Sequence, residues 1–205
     1  MMNKQSLRDI KREATANALA DAAFALALER GMDGFVVEDV VQRAGYSRRT
    51  FANHYSCKEE AIASAALIFK GADEIGNWIK SLNEDMSPLD ILHQLMKLHL
   101  TGEHIGKLRQ LVSFSRQHPT LEPYILSGLR RLQIMAQETL DEFSHERYPD
   151  GYTHLLAGAV YGAMLPILDG SLSVLLPGQS VAETPEAVTF DQYLDTMFGY
   201  LRNGF

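Results

Sequence analysis

Basic side chains cluster between Val40 and Lys58, and this segment is the part of the sequence best suited to a chemical task. It contains four cations and no acidic residue: Arg43, Arg48, Arg49 and Lys58. The chain as a whole is acidic, with 26 Asp and Glu against 19 Lys and Arg. Because a local positive surface on an acidic protein attracts a polyanion, the cluster predicts an anionic partner.

The remaining reactive groups do not form a catalytic or metal-binding set. Glu142 and His145 have the Glu-x-x-His spacing of di-iron helical bundles, but such a site needs a second copy, and the sequence has none. Cys57 is the only cysteine, so no intrachain disulfide can form. Because the cationic Lys58 is adjacent, one hypothesis is that Cys57 is a thiol sensor; the alternative is that this cysteine has no special role. We therefore expect no enzyme activity, no metal and no cofactor.

Two short helices joined by a tight turn are predicted to position the cluster. Apolar residues recur at helical spacing from Val37 to Ala44, and Gly45 follows where a left-handed residue ends a helix. Ser47 is a favoured N-cap for the next helix, which we predict to end at Tyr55. Phe51 and Tyr55 are one turn apart and would pack inward, which leaves the basic side chains facing outward.

A fourth helix is predicted from Lys58 to Leu82. Ser56 and Glu59 have the spacing of a capping box at its start. A lysine in a first turn opposes the helix dipole, so stability alone does not explain Lys58. We therefore predict that Lys58 holds a phosphate together with the free N–H groups of this helix end.

The rest of the chain has helical periodicity and no strand-like alternation. Ser87 and Pro88 form a helix start, and a nearly all-apolar helix is predicted from Tyr152 to Leu176. A final helix is predicted from Phe190 to Leu201. The expected fold is all-α, with a small N-terminal domain of residues 1–57 followed by a larger helical domain of residues 58–205.

The termini and hydropathy favour a cytoplasmic protein. The N-terminal residues are charged and lack the apolar run of a secretory signal. The segment from Leu155 to Leu176 is apolar enough to suggest a membrane span, but it contains Pro166 and Asp169 and has no flanking basic cluster. We therefore expect a core or dimer helix and no membrane association.

The first 62 residues resemble the DNA-binding domain of the TetR family of bacterial transcriptional regulators. Four features carry this resemblance: a first helix Thr15–Gly31, a second helix Glu38–Ala44, the turn Ala44-Gly45-Tyr46-Ser47, and the motif Thr50-Phe51-x-Asn53-His54-Tyr55-x-x-Lys58-Glu59. The resemblance implies that residues 1–57 are a three-helix helix-turn-helix domain and that residues 58–205 bind a ligand and dimerise. It also implies a homodimer whose two recognition helices enter successive major grooves of a palindromic operator in double-stranded DNA.

The resemblance assigns roles to individual side chains of the cluster. The residues expected to face base edges are Arg48, Arg49, Thr50 and Asn53, with Arg43 and Ser47 completing the contact surface. The residues expected to hold phosphates are His54, Tyr55, Lys58 and the arm Lys4–Arg12. The sequence departs from the family pattern in two respects. Ala52 replaces a usual aromatic residue, and Val36 and Val37 stand where a Ser or Thr commonly caps the second helix.

A small, largely apolar effector is also implied by the resemblance. Met96, Phe114, Met135, Tyr161 and Met164 are candidates to line its pocket, and His99, Arg116 and Tyr161 are candidates to orient it. The same apolar residues at helical spacing could instead be core. The expected function is a repressor that the effector releases from DNA. The alternative is a DNA-binding adaptor whose C-terminal domain meets a protein partner.

Overall fold

The structure, a computed structural model, describes residues 7–67, 78, 81–82, 85–144, 147–179 and 188–204. The α-helices in these ranges are α1 (Leu7–Arg30), α2 (Val37–Ala44), α3 (Arg48–Ala52), α4 (Lys58–Leu67), α5 (Pro88–His99), α6 (Gly102–Gln117), α7 (Glu122–Ser144), α8 (Tyr152–Asp169) and α9 (Phe190–Asn203). A 3₁₀ turn, Pro119–Leu121, joins α6 to α7. The described residues contain no strand, only an isolated bridge between Leu175 and Thr189, so the all-α prediction is confirmed.

The first of two compact units consists of residues 1–68 and 114–128. Helices α1 and α4 pack together at its centre, where α4 buries four alanines and α1 buries Leu19 and Leu26. Small side chains allow two helix backbones to approach closely. Phe114 packs edge-on against Phe24, with ring centroids 6.3 Å apart, and Leu121 is fully buried. This unit thus extends past the predicted 1–57 domain, because α4 and the α6–α7 connection share its core.

The second unit consists of residues 69–113 and 129–205. Phe190, Leu194 and Phe198 of α9 are buried in its core, together with Ile91 of α5. Helix α5 begins as predicted, with Ser87 Oγ accepting from the Asp90 N–H at 3.1 Å.

Helix α8 is shorter than predicted, so its expected end at Leu176 was wrong. It ends at Asp169 because Gly170 adopts a left-handed conformation with φ of 79°. The apolar residues Val174 and Leu176 after this turn are buried even though they lie outside the helix. Because the segment is apolar on both sides of Gly170, the sequence pattern did not show that the helix ends there.

Two glycines of α6 provide a matched pair for a stability prediction. A Cβ at Gly102 would overlap the carbonyl oxygen of Pro177, whereas a Cβ at Gly106 would meet no atom within 4 Å. We expect Gly102→Ala to lower the free energy of unfolding by about 2 kcal/mol, because a backbone oxygen cannot move aside cheaply. Gly106→Ala should raise it by about 0.5–1 kcal/mol through helix propensity. Urea unfolding of both variants measures the difference, and equal midpoints would contradict the packing at Pro177.

Several predicted features lie outside the described residues. They are Lys4 of the arm, most of the fourth helix beyond Leu67, and His145 of the Glu-x-x-His pair. None of the helices that the structure does describe combines the length and apolar content needed to cross a bilayer.

Candidate nucleic-acid interface

Helix α2 is fixed at both ends by backbone interactions. At its start the N–H of Val36 donates to the Asp39 carboxylate at 2.9 Å, and this bond lowers the pKa of Asp39. The carboxylate thus supplies one half of a capping box, whereas Val36 has no side-chain oxygen to supply the other half. At its end Gly45 has φ of 74°, and the Tyr46 N–H donates to the Val41 carbonyl at 2.9 Å. The resulting tight turn leads directly into α3, as predicted.

Helix α3 is short and depends on its cap. Ser47 Oγ accepts from the Thr50 N–H at 3.0 Å and also pairs with Thr50 Oγ1 at 2.8 Å, so the predicted N-cap is present. The helix contains five residues and ends at Ala52, not at Tyr55. The prediction was wrong at this end because Asn53 and His54 form a turn that brings Tyr55 inward.

Two aromatic side chains anchor α3 to the rest of the first unit. Phe51 and Tyr55 are buried with ring centroids 5.8 Å apart, as the helical spacing predicted. The Tyr55 hydroxyl donates to the Ala16 carbonyl of α1 at 3.0 Å. This bond corrects the expectation that Tyr55 holds a phosphate, since its hydroxyl points into the unit and already donates its proton.

The outward face of α3 carries Arg48, Arg49 and Ala52, with Asn53 next to them at the helix C-cap; all four are exposed. Thr50 is half-buried against its cap. Guanidinium groups donate in a fork that matches the O6 and N7 acceptors of guanine, and an amide can pair with adenine in the same way. The face therefore has the donors needed to read base edges in a major groove.

Acidic residues from outside the basic cluster partly neutralise it. Arg43 makes a two-pronged pair with Glu29 of α1, at 2.5 and 2.6 Å. This pairing lowers the pKa of Glu29 and raises that of Arg43. Arg48 pairs with Glu38 of α2 at 2.6 Å, but its side chain remains 77% exposed. Arg43 is thus paired with a carboxylate of α1, but its side chain remains 39% exposed, so its place in the contact surface stays a prediction. Arg48 can exchange its carboxylate for another anion.

Lys58 has a structural role that the sequence did not reveal. Its ammonium donates to the carbonyls of Met32 and Phe35, at 2.5 and 2.9 Å, and lies 4.8 Å from the centre of the Phe35 ring. These contacts join the start of α4 to the α1–α2 loop. The fold therefore explains this lysine without a phosphate, since two of its three N–H donors bind carbonyls. The predicted contact of Lys58 with a phosphate stays a prediction.

The role of Lys58 predicts a loss of stability on substitution. We expect Lys58→Met to lower the free energy of unfolding by about 2 kcal/mol, since two carbonyls lose a charged donor. The matched control is Lys107→Met, where a surface pair with Glu103 is lost and the change should stay below about 1 kcal/mol. Chemical denaturation of the two variants gives the comparison. Equal values would mean that the Lys58 bonds contribute nothing to folding.

The start of α4 is also capped differently from the prediction. Glu60, not Glu59, accepts from the Ser56 N–H at 2.7 Å. Cys57 Sγ accepts from the Glu60 N–H at 3.4 Å, and its thiol donates to the Tyr124 hydroxyl at 3.2 Å. This bond from the thiol raises the pKa of Tyr124. Cys57 is therefore a helix cap tied to α7, which gives it a structural role.

A surface cleft connects the start of α1 with the end of α3. It encloses about 630 Å³ and is open to solvent. Its lining residues are Arg8, Asp9, Lys11, Arg12, Thr15, Asn53 and His54. Sequence reasoning placed Arg8, Lys11 and Arg12 in a basic arm but did not join them to Asn53 and His54. The spacing of positions 8, 11, 12 and 15 places them on one helical face, but no sequence pattern joins that face to the end of α3.

The predicted effector-binding residues are divided between the two units. Met96 and Met164 are buried in the second unit, and His99 and Tyr161 are half-buried there. Phe114 belongs to the first unit, where it packs on Phe24, and its assignment to the pocket stays a prediction.

Two further effector-binding residues are exposed. Met135 is 54% exposed on α7, and Arg116 is exposed at the end of α6 in the first unit. The spacing of these residues could not show which face of each helix lies inward. His104 was not among the candidates, although burial lowers the pKa of its imidazole and favours the neutral form.

Comparisons with known proteins agree with this geometry. Residues 19–66 match the model of the family described as "Bacterial regulatory proteins, tetR family". Over 57 residues the chain is 39% identical to an uncharacterised HTH-type transcriptional regulator, YwcC, of Bacillus subtilis (strain 168). That match spans 28% of this chain and only 26% of the relative.

A crystal structure from Mesorhizobium loti MAFF303099, assigned to the TetR-family transcriptional regulators, is similar along most of the chain. The similarity covers 92% of this chain and 95% of the other, with a TM-score of 0.54 and 18% sequence identity. At this identity the similarity shows a shared fold.

Proposed function

We propose that this chain is a member of the TetR family of bacterial regulatory proteins, whose family model matches residues 19–66, and that it is a transcriptional regulator that binds double-stranded operator DNA through α3. The observation that carries the proposal is the construction of α3. Ser47 caps it and buried Phe51 anchors it, while Arg48 and Arg49 face outward. A helix of five residues would not be stable alone, so the fold maintains it to present those side chains. A protein with this task would act in the cytoplasm.

We further propose that two copies of the chain associate through α8. The helix has no charged side chain before Asp169, yet Leu155 is 71% exposed and Leu165 is 37% exposed. Ala159 and Gly162 lie exposed between them on the same face. A second copy would cover this face with an identical face, and small residues would allow close approach. The dimer would present two α3 helices to a palindromic operator.

Effector control completes the proposal. We propose that a small, largely apolar molecule binds the second unit, where Met96 and Met164 are buried beside the half-buried His99 and Tyr161. It would favour a conformation in which α4 has moved and the two α3 helices no longer match their half-sites. Effector and operator must then weaken each other by the same factor, typically about 5- to 150-fold.

Selection of bound genomic fragments, followed by fluorescence anisotropy with the selected duplex, tests the proposal. We expect a palindromic site bound by one or more dimers, and lower affinity when a co-purified or screened apolar ligand is added. Failure to select any duplex would contradict DNA binding. A selected operator whose affinity no ligand changes, together with a protein captured by the second unit, would favour the adaptor alternative.

A further inference from the structure

A hydrogen bond joins the first turn of α2 to the outward face of α3. Arg48 Nη1 donates to Glu38 Oε1 at 2.6 Å, across ten positions of the sequence. The two side chains remain 77% and 55% exposed. A pair this exposed contributes little to folding, because water and salt screen the attraction. Stability therefore does not account for a carboxylate at the face that we propose to contact DNA.

The geometry of this pair differs from that of Arg43 with Glu29. Glu29 accepts from both terminal nitrogens of Arg43, at 2.5 and 2.6 Å, and so occupies the end of that guanidinium. Glu38 accepts from Nη1 of Arg48, which leaves the Nε and Nη2 hydrogens along the adjacent edge of the group. Two parallel donors of this kind match the O6 and N7 acceptors of guanine. Arg48 can thus bind a guanine without releasing Glu38.

The fold holds the two partners at a set separation. Val41 of α2 and Phe51 of α3 are buried, and the Tyr46 N–H donates to the Val41 carbonyl across the turn between the helices. Glu38 and Arg48 therefore lie on exposed parts of two helices whose inner sides are fixed. A long side chain that is already held at its end loses less conformational entropy when it binds. Glu38 thus preorganises the Arg48 guanidinium.

A phosphate, in contrast, competes with Glu38 for the charge of Arg48. The edge of a guanine has no net charge, whereas a phosphate carries a negative charge that the Glu38 carboxylate repels. Arg48 could bind a phosphate only by leaving Glu38 or by bringing two anions together. Each event costs free energy that a base contact does not cost. The pair therefore favours a base over the DNA backbone at this position, and specificity is such a difference between two affinities.

We infer that Glu38 is a specificity-determining residue of the proposed DNA contact: it positions Arg48 to read a guanine and weakens the attraction of Arg48 to the phosphates of other sequences. The inference rests on the proposed function, since it extends that function to an acidic residue of α2. Glu38 acts through Arg48 and is thus a positioning residue. It precedes the basic segment from Val40 to Lys58, so the charge pattern did not indicate it.

Salt-dependent binding of two duplexes, the selected operator and a scrambled sequence, tests the inference; the specificity ratio is the affinity for the first divided by that for the second. We expect Glu38→Gln to tighten binding of the scrambled duplex about threefold without tightening binding of the operator. On the scrambled duplex, the slope of log affinity against log salt should steepen by about 0.9, because the released Arg48 gains one phosphate contact. The specificity ratio should therefore fall about threefold or more.

Glu29→Gln is the matched control. It removes the same charge from the same unit and releases Arg43, an arginine that lies outside α3. Any gain in affinity should be equal for the operator and the scrambled duplex, so the specificity ratio should not change. Circular dichroism melting of each variant checks that the fold is retained, which we expect because both pairs are exposed.

A double-mutant cycle shows whether Glu38 acts through Arg48. In the Arg48→Ala protein, adding Glu38→Gln should leave the specificity ratio unchanged, since the side chain that Glu38 positions is gone. Arg49 remains in this protein, so the ratio is still measurable. Operators with one base pair changed at a time should show that Glu38→Gln relaxes the preference at the same guanine as Arg48→Ala. An equal fall of the ratio with and without Arg48 would overturn the inference, because Glu38 would then read a base itself.

The outcomes separate this inference from the proposed function. If the unaltered protein binds no duplex, the proposed function fails. If it binds the operator selectively but Glu38→Gln keeps the specificity ratio of the unaltered protein, only the role of Glu38 fails. The same holds if Glu38→Gln tightens binding of both duplexes by one common factor, as expected for Glu29→Gln, because Glu38 would then be a repelling charge without a part in specificity.

Discussion

The Arg48→Ala/Arg49→Ala double variant should lose selective operator binding by about a hundredfold or more while keeping its fold. Each two-pronged arginine–guanine contact contributes about 1–3 kcal/mol of discrimination, and the variant removes both candidate contacts. Its thermal stability should be unchanged or slightly higher, because adjacent cations at a helix start oppose the dipole. Anisotropy with operator and scrambled duplexes measures the specificity ratio, which should approach one.

The control for this variant is Arg130→Ala/Arg131→Ala, an adjacent pair on α7. This variant loses the same charge from the second unit and should keep the specificity ratio unchanged. If the Arg48→Ala/Arg49→Ala protein still distinguished the operator from the scrambled duplex, α3 would not read the bases. Specificity would then have to come from the shape of the DNA.

Gly162→Glu should convert the protein to a monomer and weaken operator binding by about a hundredfold or more. The Cβ of this residue would meet no atom within 4 Å in the isolated chain, so the fold tolerates the new side chain. Glutamate is also a better helix former than glycine by about 0.5–1 kcal/mol. Between two copies, however, the same side chain would bury an unpaired charge. Without the dimer, each half-site is bound separately and the benefit of linkage is lost.

Sedimentation velocity and concentration-dependent melting test this prediction. The unaltered protein should sediment as a dimer with a melting temperature that rises with concentration, and the variant should show neither property. Gly106→Glu is the matched control, since its Cβ also meets open space, and it should remain dimeric. A dimeric Gly162→Glu protein would move the proposed interface away from α8.

Local features of α2, α3 and the turn between them could be predicted from the sequence, because they depend on residues within a few positions of one another. The Ser47 cap, the Gly45 turn and the inward Phe51 all follow from spacing of this kind. Interactions over longer separations could not be predicted. Tyr55 bonds to Ala16, 39 positions away, and no periodicity specifies such a pair.

Two failures at the candidate sites have the same physical cause. The basic cluster looked free of acids because Glu29 and Glu38 lie outside that stretch of sequence, although folding brings them to Arg43 and Arg48. In the second unit, the spacing of apolar residues predicted helices but not which side of each helix is covered. Met135 was therefore assigned to a pocket although it is exposed.

The construction of α3 bears on how the proposed DNA contact could change its target sequence. The residues that hold α3 in place, Ser47, Phe51 and Tyr55, are distinct from those that face outward. Substitutions at Arg49 or Ala52 can therefore accumulate with little effect on folding. Selection can then explore new target sequences at these positions while the scaffold stays constant. The outward positions of α3 are consequently the ones to randomise in order to change the DNA target that we propose for this protein.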